Sequence, residues 1–68
     1  MYKLKVDMLF REPIVLKFKN YDDARYVKQD IEHTMKMDMF IHLNSEHGYP
    51  GKLTINPVYI RTLEVVEE

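Results

Sequence analysis

The chain contains no cysteine and no tryptophan, two glycines and three prolines in 68 residues. Without cysteine there is no disulfide staple, no thiolate metal site and no cysteine nucleophile. So few glycines leave no phosphate-cradling loop, since Gly48 and Gly51 fit neither the dinucleotide nor the P-loop spacing. No uncharged run approaches a bilayer span, and nothing at the N-terminus resembles a signal peptide, so a cytoplasmic protein with no membrane role is expected. Excess charge is missing too: ten Lys plus Arg face eleven Asp plus Glu. What remains is a short chain, 46% hydrophobic and 31% charged, with the composition of one globular domain. A domain this small buries only about 60% of the surface its unfolded chain exposes, which makes self-association a useful stabiliser.

The near-neutrality is a cancellation. Residues 1–19 carry a local +3, whereas residues 20–38 and 39–68 each carry −2. Tyr2, Leu4, Val6 and Met8 alternate with Lys3, Lys5 and Asp7, the period of a half-buried strand. Pro13 interrupts, and Ile14, Leu16 and Phe18 resume the alternation, so an antiparallel hairpin is expected. From Asn20 the period becomes helical. Ala24, Val27, Ile31 and Met35 form one stripe, Asn20 suits an N-cap, and Asp22 and Asp23 complement the helix dipole. A helix over 21–36 follows, with Glu32–Lys36 and Lys28–Glu32 spaced for i, i+4 pairing.

Met39, Ile41 and Leu43 suggest a third strand, Asn44 to Gly51 a loop, Leu53 and Ile55 a fourth strand, and Ile60 to Val66 a fifth. The expected fold class is α+β: a single helix packed on one face of a four- to five-stranded, mainly antiparallel sheet, in the order β-β-α-β-β-β.

No constellation for catalysis is evident. His33, His42 and His47 lack metal-ligand spacing, and Asp38 and His42, on one strand, would stand about 13 Å apart. Ser45, the only serine, has no nucleophile elbow around it. The expectation is therefore a non-enzyme without metal, cofactor or catalytic residues.

Two surfaces are candidates for binding. The helix carries a second row, Tyr26, Asp30, His33 and Met37, whose Tyr and Met suit the centre of a protein interface; His47 and Tyr49 in the loop join it. The alternative surface is the outer sheet face, where Lys3, Lys5, Lys17 and Lys19 with Phe40 would suit a single-stranded nucleic acid through charge and stacking. A protein partner is thus expected first, nucleic acid second, and a homodimer is compatible with either.

The C-terminal run Ile55-Asn56-Pro57-Val58-Tyr59-Ile60-Arg61-Thr62-Leu63-Glu64 resembles an "INPxxIxxLE" hairpin found in small phage and prophage proteins of the β-β-α-β-β type. A comparable hairpin opens certain small flagellar proteins, in which the element order differs. The resemblance implies a strand, an Asn-Pro turn and a strand, with Ile55, Ile60 and Leu63 pointing inward. It also implies a mobile-element protein that works by binding, for instance as an inhibitor or adaptor on a host protein.

Overall fold

A computed structural model describes residues 1–68. The elements are β1 (Tyr2–Met8), β2 (Ile14–Phe18), α1 (Tyr21–Lys36), β3 (Ile41–Leu43), β4 (Leu53–Ile55) and β5 (Ile60–Glu67), with single 3-10 turns at Ser45–His47 and Pro57–Tyr59. The α+β class is as the periodicities indicate, and all strand pairings are antiparallel. The strands nevertheless divide into two sheets. One is three-stranded in the order β2-β1-β5, and the other is the β3-β4 pair.

In the larger sheet Leu4 stands opposite Leu16 and Val65, and Val6 opposite Ile14 and Leu63. These inward residues meet Ala24, Val27 and Ile31 of α1, while β3 and β4 contribute Ile41, Leu43 and Ile55 to the same core. Every buried side chain is hydrophobic, and no buried polar atom lacks a partner. The stripe of α1 thus covers one face of the sheet, and the opposite face carries Lys3, Lys5, Lys17 and Glu64 toward water.

The helix ends are informative. Asn20 occupies the N-cap without capping a backbone N–H; its amide donates instead to Asp23 Oδ2 at 3.3 Å. Neither i, i+4 pair expected on the helix closes to an ion pair, and the ion contacts present are Lys3–Glu68 and Asp30–His47. At the C-terminus, the Asp38 N–H donates to Met35 O and the Met39 N–H to Thr34 O, with Asp38 left-handed at φ 57°. This is a Schellman closure with aspartate where glycine is usual. It consumes Asp38 and Met39, so the third strand starts at Ile41 and Met39 is exposed, not inward as the alternation suggested.

The resemblance-based hairpin is also corrected. β4 pairs with β3 and β5 with β1, so Ile55–Glu64 passes from one sheet to the other. Asn56 caps the 3-10 turn, its Oδ1 accepting from the Val58 N–H at 3.1 Å, and buried Pro57 stands at the first helical position. The turn redirects the chain, and inward-facing Ile55 and half-buried Ile60 and Leu63 then enter different sheets.

The two edges of the larger sheet differ. Along β2 the Ser45–His47 turn returns to the strand, where the Lys17 N–H donates to Gly48 O at 3.4 Å. A Cβ at Gly48 would lie 2.7 Å from Lys17 O, and its φ of 78° is left-handed, so both space and backbone demand glycine there. β5, eight residues long, has no strand beyond it.

Candidate functional site

At about 100° per residue, α1 has two flanks beside its buried stripe. The flank toward β3 carries Asp23, Tyr26, Asp30, Thr34 and Met37; the flank toward β5 carries Tyr21, Arg25, Lys28, Glu32 and Lys36.

On the first flank, Tyr26 is 72% exposed and Met37 56%. On the same flank opens a hollow of about 240 Å³, floored by Ile31 and Leu43 and rimmed by Asp30, Thr34, Met39, Phe40, His42 and His47. Its polar wall is assembled from distant parts of the chain. The 3-10 turn begins at Asn44, whose Oδ1 accepts from the Glu46 N–H at 2.9 Å. His47 Nδ1 stands 3.0 Å from Asn44 Oδ1 and 3.3 Å from Asn44 N, donating to the first or accepting from the second according to tautomer. That clamp directs Nε2 toward Asp30 Oδ2, 3.9 Å away. The adjacent His42 is held by the cross-strand partner Thr54, Nδ1 to Oγ1 at 3.0 Å. Thr34 donates its hydroxyl to Asp30 O at 2.9 Å.

The structure therefore brings Tyr26, Asp30, Met37 and His47 to one side of the molecule. His33 is exposed on the helix surface beyond this row. Tyr49 does something else: it is half-buried and packs on the core beneath the turn. Met39 joins this flank without any periodic signal, and Phe40, expected among the lysines of the outer sheet face, stands here instead. The alternation of residues 39–43 suggests strand for both, whereas the Schellman closure delivers them, exposed, to the rim of the hollow.

The lysine face is only partly as expected. Lys3, Lys5 and Lys17 do share the outer side of the larger sheet, with Lys3 directly opposite Lys17. β5 places Thr62, Glu64 and Val66 on the same side, and Glu64 stands opposite Lys5. Lys3 is held by Glu68 at 3.3 Å. Lys19 lies past the end of β2. Phe40 precedes β3 in the other sheet, so no aromatic side chain accompanies the lysines.

A second apolar cluster has no periodic signature in the sequence. Phe10, in the β1–β2 loop, is 92% exposed and left-handed at φ 65°. Its ring meets Tyr59 edge-on at 6.4 Å, and exposed Leu9 and Val58 lie alongside in the chain. A bulky aromatic at positive φ is costly, and glycine or asparagine is the usual signal for such a turn.

For chemistry the inventory is sparse. No three of His, Asp and Glu converge as metal ligands, and the hollows are shallow surface features. No helix is long and apolar enough to cross a membrane. No protein-family model, curated protein or solved structure matches the chain.

Proposed function

We propose that this protein is a small non-enzymatic binding protein that acts by occupying the surface of a partner protein through the α1–β3 flank. The observation that carries this is an apolar-floored hollow with exposed Met39 and Phe40 at its rim and one polar wall, Asp30–His47, on the same flank of α1 as exposed Tyr26 and Met37. Large side chains that are exposed, apolar and contiguous are characteristic of interaction surfaces, with the charged residues set toward the edge. The polar wall would fix orientation, and the aromatic and methionine side chains would supply buried area. The Ile55–Glu64 run resembles the phage-type motif in sequence although its two strands do not pair, and a phage- or mobile-element-derived role on a host protein in the cytoplasm rests on that sequence likeness alone.

The nucleic-acid alternative keeps its three outer-face lysines but loses Phe40, and acidic Glu64 stands among them. The protein-binding role has the stronger support.

The test is a paired capture. Wild-type protein and a Tyr26→Ala, Phe40→Ala variant are immobilised and exposed to the same host lysate, and a partner retained by the wild type is then purified and titrated. Both side chains are exposed, so the variant should unfold at the same temperature as the wild type. Removal of two anchors of this type should weaken binding at least about 30-fold. Equal affinity for both proteins would show that the contact lies elsewhere.

A further inference from the structure

The opposite flank of α1 forms a second, chemically different groove. β5 hydrogen-bonds only to β1, so its outer backbone groups face solvent. Between this edge and the helix run two open hollows, of about 390 and 360 Å³, which share Lys28, Glu32 and Leu63 and so form one trough. Its floor is apolar: Ile60, Leu63, Val65 and Met35 pack on the core yet remain half-buried, whereas their counterparts on β1 and β2 are fully buried. Its walls are basic. Arg25, Lys28, Lys36 and Arg61 line it together with Glu32 and the edge residue Glu64, an excess of two positive charges in a chain whose net charge is −1.

We infer that this trough binds an extended acidic peptide segment, which adds a fourth strand to the edge of β5 under the basic flank of α1. Main-chain bonds to an exposed edge supply affinity without sequence preference, and the side chains facing the helix supply the selection. Arg25 and Lys36 are eleven residues apart, about 16 Å along a helix. Four steps along a strand keep both ends on one face and span about 13 Å, and the long, flexible Arg25 and Lys36 side chains make up the difference. The matching ligand therefore has two acidic residues four positions apart with an apolar residue midway, all on one face, so that the apolar side chain lands on Leu63 and Met35.

A second copy of this chain is the poorer occupant. Two β5 strands paired edge to edge would set their helices about three strand spacings apart, roughly 14 Å. Arg25, Lys28 and Lys36 of each copy would then confront their like across the gap.

The experiment uses two synthetic blocked peptides, Thr-Glu-Thr-Val-Thr-Glu-Thr and its counterpart with lysine in place of both glutamates. Each is titrated into isotopically labelled protein while backbone amide resonances are followed. The acidic peptide should shift Ile60 to Val65 and the facing residues of α1, with affinity at least tenfold weaker in 0.5 M salt than in 0.05 M. An Arg25→Glu, Lys36→Glu variant, altered only at exposed positions, should lose the acidic peptide at least tenfold and gain the lysine peptide. The Tyr26→Ala, Phe40→Ala variant should bind the acidic peptide as the wild type does, which separates this groove from the α1–β3 surface. No shift at millimolar peptide, shifts confined to the α1–β3 flank, or equal binding of both peptides would overturn the inference. So would a dimer by sedimentation whose dilution moves the Ile60–Val65 resonances, since that would assign the edge to a second copy.

Discussion

The two edges of the three-stranded sheet receive different treatment from the same chain. The β2 edge is sealed at Lys17: the turn that follows β3 returns to it, the Lys17 N–H donates to Gly48 O, and Gly48 lies against the Lys17 backbone. The β5 edge is left open, with a row of half-covered apolar residues and a basic helix flank above it. An exposed edge is an invitation to pair, and proteins usually blunt it with charge, proline or a bulge. β5 carries Arg61, Glu64 and Glu67 and a register shift near its start, which discourages indiscriminate pairing, yet its remaining residues form an uninterrupted strand. The contrast teaches how unevenly a chain this short covers the two edges of one sheet. The sealed side holds the fold together, and the open side has apolar surface to spare.

Substitutions can break that comparison. The largest effect is expected on the sealed side at Leu16, which has no exposed surface. Leu16→Ala should cost about 3 kcal/mol from lost burial and the cavity left behind. A domain of this size has a total on the order of 5 kcal/mol, so much of it would go. Urea unfolding would register the loss as a lower midpoint. Leu63→Ala is the matching deletion on the open side, and because that side chain is only partly buried it should cost less, about 1 kcal/mol. Equal losses would mean that the two sides are packed alike and that the trough is not under-covered.

Gly48→Ala falls between these. The new methyl group meets Lys17 O at 2.7 Å, and the backbone is left-handed, a conformation that costs a non-glycine residue about 1 kcal/mol. Turn and strand must separate, which adds to that figure, so a loss of about 2 kcal/mol is expected. Amide hydrogen exchange would localise it, because Lys17 should lose protection while β5 keeps its own. Exchange that rises equally at both edges would contradict the idea that this turn is a local seal.

How much of this could be read in the sequence depended on the range of the interactions. The helix was legible to its end residues because its stripe and its flanking Asn20 are local signals, and the alternation of β1 and β2 is equally local. Which strands pair is decided by contacts across the whole chain. Asn56-Pro57 announces that the chain turns, but it says nothing about β5 crossing to β1 instead of returning along β4. The same limit applies to the binding surfaces. Tyr26, Asp30 and Met37 follow from helical period alone. Their juxtaposition with His47 needs the 3-10 turn, and Met39 and Phe40 join them only through a left-handed turn that no glycine advertises. The β5 trough had no signature at all, since its basic wall and its floor are forty residues apart in places and each reads separately as ordinary amphipathic structure.

The smallest expected effect sharpens the distinction between strain in the frame and strain at a surface. Two residues other than glycine are left-handed: Asp38, which closes α1, and Phe10 at the tip of the β1–β2 loop. Asp38 makes its turn through backbone bonds that any residue would supply, with no side-chain partner of its own. Asp38→Gly should therefore stabilise the protein by about 0.5–1 kcal/mol, the relief of the left-handed conformation less the greater entropy of glycine in the unfolded chain. Removing a negative charge beside the C-terminal end of the helix dipole acts in the same direction. A raised unfolding midpoint with unaltered peptide shifts at Ile60–Val65 is the expected outcome. If the midpoint falls, the Asp38 side chain contributes something its backbone position does not, and the helix closure cannot be treated as frame alone.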